Sequence, residues 1–258
     1  MTRMKCAESM PITIPEKIYA GKGENLTRML RRKFGYEIPE RHYEALMDQL
    51  VSSKTRWLDI GCGRKLFPSN SHLSKKLSSR AVELVGIDPD ETIKENPYVH
   101  TGIQAKIEDF YDPEKFDLIS MRMVAEHVED PASTARNVSG LLKPEGKLVV
   151  YTVNGSSLAP SVTKILPNGL KDKLKKALWG TEEKDTFPTH YRMNSREDLR
   201  KYLGQNGLTE ENFWVLDDCR FFSRYPVLHF FELSARKIAS SLRMSHLDSC
   251  LLGVYSKK

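Results

Sequence analysis

The sequence predicts an α/β protein built on a doubly wound parallel sheet, and three observations carry that expectation. Compact apolar runs of strand length (TRWLDI, AVELVGID, KFDLISM and GKLVVYTV) follow one another from Arg56 to about Val153, bounded by Gly, Pro or Asp. Helical segments separate them, and that alternation places helices on both faces of a parallel sheet. The first run ends as Trp57-Leu-Asp-Ile-Gly-Cys-Gly63, a strand passing into an acid and a G-x-G turn. Finally, 258 residues with 40% apolar and 29% charged side chains suffice for one large α/β domain or two small ones, and exclude a wholly disordered chain.

Residues 1–54 read as a polar, basic helical extension. Helical patterning lies around Gly23–Lys33 and Glu40–Val51, where Tyr43, Leu46, Met47 and Leu50 recur at three- and four-residue steps. Residues 55–258 carry the α/β domain. Within it, Asp130-Pro131 before ASTARNVSGLL supplies an N-cap acceptor and a proline at the first helical position, and LLKPEG ends that helix before the next strand. At about 154–194 the rhythm breaks, because ordinary strand-to-helix connections take about 2 to 6 residues. This insertion has a helical pattern of its own, LKDKLKKALW, with Leu170, Leu174, Ala177 and Leu178 on one face and lysines on the other. Ser195, with an acid three residues on, opens the helix EDLRKYLGQNG. NFWVLDD and SCLLGVYSK read as two final strands around a helix from about Val227 to Arg243.

Other classes recede on composition. No apolar run approaches the roughly 18 to 20 residues of a membrane-spanning helix, and the N-terminus shows no secretory apolar region. Cys6, Cys62, Cys219 and Cys250 are spaced too widely for a zinc knuckle or a CxxC pair, so reduced thiols and a cytoplasmic location are expected. The 40 basic against 34 acidic residues leave a net charge of +6. The two signs are interspersed, as in SREDLRK, which reads as a solvated surface, and nucleic acid is not expected as a partner.

The chemistry concentrates at the G-x-G turn. Small residues there let the backbone turn sharply and approach a ligand at the carboxyl edge of the sheet. About 25 residues on, Leu84-Val-Gly-Ile-Asp88 ends in an acid suited to ribose hydroxyls. A dehydrogenase shares that pairing, but the full G-x-G-x-x-G is missing here, and Asp59 would oppose a pyrophosphate while suiting an amino-acid moiety. Asp59 could instead cap a turn, and Asp88 could start a helix before Pro89. Cys62 reads as a small packing residue and Trp57 as core.

With these residues in place, the chain resembles the class I S-adenosylmethionine-dependent methyltransferases, of the type 11-like kind. The resemblance runs through WLDIGCG, VGIDPD, IEDFYDPEKFDLISM, MVAEHVEDP and LLKPEGKLVVYT, over roughly residues 55–155, and FPTHYRMNSREDL is similar to one branch of the family. It implies a Rossmann-like, doubly wound seven-stranded sheet with a helical lid insertion, and S-adenosyl-L-methionine as cofactor. By position it implies that Asp59, Gly61 and Gly63 line the methionine end and that Asp88 takes the ribose. Ile107 and Glu108 would lie beside the adenine, and Met121 and Arg122 beside the sulfonium. Lys65, where many members have a third glycine, and Lys106, where many have an acid, depart from the pattern.

A hydroxyl acceptor would benefit from a general base, and His127 and His190 stand where one could sit, although either could be a hydrogen-bonded rim residue. Relatives of this class that hold a divalent metal do so with E-x-x-E-H. Here Glu126-His127 matches its end, but Met123 replaces the first glutamate and is a poor ligand for a hard cation, so no metal is expected. The insertion could close over a small or lipid-like acceptor or rest on an anionic membrane, and Pro226–Arg243 permits the same readings or a dimer interface. O-methylation is the expectation. RNA or protein methylation, and a binding module without turnover, are the alternatives.

Overall fold

The structure, a computed structural model, describes residues 12, 14, 26–157, 188–219, 222–241 and 249–258. Cys6, the start of the first expected helix and most of the expected insertion (158–187, with LKDKLKKALW) lie outside the described residues.

The elements run α1 (Leu26–Phe34), α2 (Pro39–Leu50), β1 (Arg56–Ile60), α3 (Ser71–Arg80), β2 (Glu83–Asp88), β3 (Thr101–Gln104) and β4 (Phe116–Arg122). They continue as α4 (Pro131–Leu141), β5 (Leu142–Val153), α5 (Arg196–Gly204), β6 (Leu208–Leu216), α6 (Pro226–Ser241) and β7 (Cys250–Lys257). Side chains cap the helices, at Asp130 and Ser195 as the sequence suggests and at Asn70 where it gives no expectation. Asp130 Oδ1 accepts from the backbone N–H of Ala132 and Ser133 at 3.0 and 3.1 Å, with Pro131 in the first turn. Ser195 Oγ accepts from Asp198 N at 3.0 Å and donates to Asp198 Oδ2 at 2.6 Å. Asn70 Oδ1 caps α3 by accepting from Leu73 N at 3.1 Å.

The seven strands form one sheet in the order β3-β2-β1-β4-β5-β7-β6. Strands β1 to β5 are parallel, and β7 runs antiparallel to both β5 and β6. The doubly wound seven-stranded architecture is the expected one, but the reversal of β7 is not visible in an apolar run, which carries no direction. Its cause lies in the connection. Because β6 and β7 are antiparallel and pair Leu216 with Cys250, the chain leaves β6 and enters β7 at the same edge of the sheet. Helix α6 is therefore no crossover; it stays at the carboxyl edge of β1, β4 and β5.

Side chains alternate across the sheet with the two-residue period of a strand. Trp57, Leu84, Leu118 and Val149 pack with Tyr43, Leu46 and Met47 of α2 and Leu73 and Leu77 of α3. Leu58, Val85, Ile119 and Leu148 pack on the other face with Val138 and Leu141 of α4 and Leu199 and Leu203 of α5. Burial on both faces explains why β1, β2 and β4 read as continuous apolar runs. Cys62, Cys219 and Cys250 are buried free thiols. Among the described residues, no helix is long and apolar enough to cross a membrane.

Candidate active site

The strand order reverses between β1 and β4, the position where open α/β sheets leave a crevice at the carboxyl ends of the strands. Asp59 on β1 stands directly beside Ser120 on β4. Ser120 Oγ donates to Asp59 Oδ1 at 2.5 Å and accepts from Trp57 Nε1 at 2.7 Å. All three are buried. Burial pushes the Asp59 carboxyl up to about 7, with the nearby Asp88 charge adding to it, while the Ser120 hydrogen bond and the Arg122 guanidinium pull it down. An ammonium group placed there would favour the charged carboxylate.

The turn after β1 depends on glycine at two positions. Gly61 has a φ of +69° and Gly63 a φ of +45°, conformations that side chains other than glycine adopt at a cost. A Cβ on Gly61 would stand 2.3 Å from Val124 Cγ2, whereas one on Gly63 would meet nothing nearer than Asp88 Oδ2 at 3.8 Å. The first glycine is thus required by packing, and the second borders open space beside the carboxylate. Gly61 N donates to Ile87 O at 2.8 Å, and Asn96 Nδ2 donates to Gly63 O at 2.8 Å. Asp88, at the end of β2, accepts from Gly63 N at 2.9 Å and Asp90 N at 2.8 Å. Burial raises its carboxyl, and these two N–H donors oppose the rise. A carboxylate has room for about four hydrogen bonds, so Asp88 keeps accepting capacity for hydroxyls.

The remaining implied contacts divide. Ile107 and Met121 are buried in the core on the α4 side, while Glu108 is exposed and accepts from Thr134 Oγ1 at 2.6 Å. Asn137 of α4 holds that loop through the carbonyls of Ile107 and Phe110. Arg122, partly exposed, lies 3.8 Å from Glu40 of α2. Lys106 is exposed. Asp59, Gly61, Gly63, Asp88 and Arg122 therefore gather at the carboxyl ends of β1, β2 and β4, with the Ile107–Glu108 loop following β3.

The two histidines, far apart in sequence, meet at the same rim. Glu126 and His127 lie in a short 3-10 turn after β4. The Glu126 carbonyl accepts from His190 N at 2.8 Å and Tyr191 N at 3.1 Å, so the chain returning from the insertion is stitched to that turn. His127 Nδ1 lies 3.0 Å from Pro188 O. The carbonyl can only accept, so in this contact the ring donates from Nδ1. Below the rim, Thr152 Oγ1 donates to Glu126 Oε2 at 2.7 Å and accepts from Asn194 Nδ2 at 2.8 Å. Burial raises the Glu126 carboxyl, against the Thr152 hydrogen bond.

Sequence reading misses Ser120, Thr152 and Asn194. For Ser120 a signal existed: a lone hydroxyl in the apolar run DLISM, in register with the acid of the neighbouring strand.

A G-x-G turn answered by an acid on each of two neighbouring strands, under a sheet whose last strand slips antiparallel between β5 and β6, defines a class I S-adenosylmethionine-dependent methyltransferase. The chain belongs to the methyltransferase-domain family, whose model matches residues 22–211. It is similar to the ubiquinone biosynthesis O-methyltransferase of Glaesserella parasuis, 32% identical over 182 residues, which are 62% of this chain and 73% of that protein. The enzyme of the same name from Bradyrhizobium diazoefficiens is 29% identical over 163 residues, 59% of this chain, and the match spans only 58% of its length. Among solved structures, the N-methyltransferase NodS from Bradyrhizobium japonicum, in complex with S-adenosyl-L-homocysteine, shares the fold. Its TM-score is 0.51 at 17% identity, covering 91% of this chain and 99% of that one.

Proposed function

We propose that the chain transfers the methyl group of S-adenosylmethionine to an oxygen of a small or lipid-like acceptor, with His127 as general base. The observation that carries this reading is the His127–Pro188 contact, which orients the imidazole through Nδ1 at the rim where His190 also stands. The similarity to proteins named O-methyltransferases supports oxygen as the acceptor atom.

S-adenosylmethionine, when bound, supplies a methyl group already activated as a sulfonium. The residues present suit it: Asp59 for the ammonium, Asp88 for the ribose hydroxyls, and the open space at Gly63 for close approach of the backbone. Ser120 holds the Asp59 carboxyl in place through Oδ1. Ile107 and Glu108 border the adenine side and Met121 and Arg122 the sulfonium side. His127 accepts the proton of the acceptor hydroxyl, and the stitched 188–191 segment orients that ring.

The experiment is a methylation assay with a panel of catechols and prenylated phenols. His127→Ala lowers kcat by about 100-fold with the cofactor affinity unchanged, in line with loss of a general base, and His190→Ala has the smaller effect. Near-normal turnover in both variants rejects the base.

A further inference from the structure

Helix α6 has two apolar faces, and only one of them is used. His229, Leu233 and Ala239 are buried. Leu228, Phe231, Ala235 and Ile238, spaced three, four and three residues apart, form an exposed stripe on the other side, with Phe231 63% and Ile238 62% exposed. Helix α1 docks on α6: Thr27 Oγ1 donates to Ser223 O at 3.0 Å, Lys237 Nζ donates to Phe34 O at 3.2 Å, and the Phe34 and Phe230 rings meet edge to face at 5.5 Å. It adds a stripe of its own, exposed Leu26 and Met29 ending in exposed Lys33. Large apolar side chains clustered in solvent mark an interaction surface.

Charge says which kind. Helix α1 carries Arg31, Arg32 and Lys33 in its last turn and no acid. The acid of α6, Glu232, is buried against His229, while Arg224 and Lys237 are exposed. Among the described side chains, every exposed charge on the two helices, and at Arg224 just before α6, is thus positive. A second copy of the same face would bring cations against cations, whereas an anionic lipid surface accepts apolar side chains and basic groups together. The position fits as well, since the connection holding α6 begins and ends at the carboxyl edge of the sheet, where the cofactor turn and the histidines lie.

We infer that the α1–α6 face rests on an anionic bilayer and sets the carboxyl edge toward it. This deepens the proposed function, on which it rests for the lipid-like acceptor.

The test is flotation of the full chain with phosphatidylglycerol vesicles and with phosphatidylcholine vesicles. The protein floats with the former, and salt at about 0.5 M, which shortens the screening length to a few ångströms, releases it. Two double variants, Phe231→Ser with Ile238→Ser and Lys33→Glu with Lys237→Glu, each lower the bound fraction about tenfold or more. Both keep the melting shift with S-adenosylhomocysteine, because none of these residues belongs to the cofactor site. Absence of flotation, or flotation indifferent to both variants, overturns the inference. So does sedimentation showing a dimer that Phe231→Ser dissolves. Those failures leave the methyltransferase reading standing, while flotation without methylation of any amphipathic phenol removes that reading and spares the bilayer contact.

Discussion

Ser120 Oγ donates to Asp59 Oδ1 across the β1–β4 seam at 2.5 Å, and the same oxygen receives the indole N–H of Trp57 at 2.7 Å. A hydroxyl both donates and accepts, so this one serine satisfies a buried carboxylate and a buried indole at once. Ser120→Ala orphans both. It should destabilise the protein by about 2–3 kcal/mol, since each unsatisfied buried group costs about 1–3 kcal/mol, and weaken S-adenosylhomocysteine binding. Trp57→Phe, which keeps the Ser120–Asp59 bond, should lower stability with little effect on affinity. Denaturant melts and calorimetric titration separate the two.

Asp59 makes the fold and the cofactor respond oppositely to pH. Its carboxyl is raised to about 7 in the folded chain, so between the ordinary carboxylate range and pH 7 the folded state binds the extra proton. Stability from this group is present at low pH and is lost as pH rises toward 7, by a few kcal/mol at most. Binding of an ammonium-bearing ligand needs the charged form, so affinity for S-adenosylhomocysteine should climb with pH, by at most about tenfold per unit below pH 7, and level off above it. Asp59→Asn should flatten both profiles. A wild-type affinity independent of pH from 5.5 to 8 would reject the assignment.

The two turn glycines should fail differently. Gly61→Ala combines a positive φ with a Cβ 2.3 Å from Val124 Cγ2, and should cost about 2 kcal/mol or more in stability. Adding Val124→Ala removes the clash and should return part of the loss, a coupling measurable in a double-mutant cycle. Gly63→Ala faces open space beside Asp88. It should keep most of the stability and lose affinity for S-adenosylhomocysteine.

Glu126 ties the rim to the sheet through Thr152 and Asn194. Glu126→Gln preserves an acceptor for the Thr152 hydroxyl and should cost about 1 kcal/mol or less, whereas Glu126→Ala leaves a buried hydroxyl unsatisfied beside a cavity and should cost about 2–4 kcal/mol. If the two variants melt alike, the network contributes nothing.

What the sequence shows of this fold follows from burial. Strands β1, β2, β4 and β5 are legible because both their faces are covered, and Asp130 and Ser195 announce their helices by side-chain chemistry that needs no tertiary partner. Strand β3 escapes because Thr101–Gln104 is a short polar edge with three exposed residues in TGIQ. Helix α3 escapes because only Leu73, Ser74 and Leu77 are buried on an otherwise polar ribbon. At the site, the glycine turn and the two acids are local in sequence and could be read. The Asp59–Ser120 pair and the meeting of His127 with the 188–191 segment exist only once the sheet register and the return of the chain bring distant residues together.

A cofactor site formed by the ends of β1 and β2 can be checked by a thermal-shift titration with S-adenosylhomocysteine on the wild-type chain and Asp88→Ala. The wild-type chain should show a saturable rise in melting temperature, equivalent to about 2.7 kcal/mol at 100 times the Kd, that Asp88→Ala abolishes. No shift at millimolar ligand, or an equal shift in the variant, would contradict it.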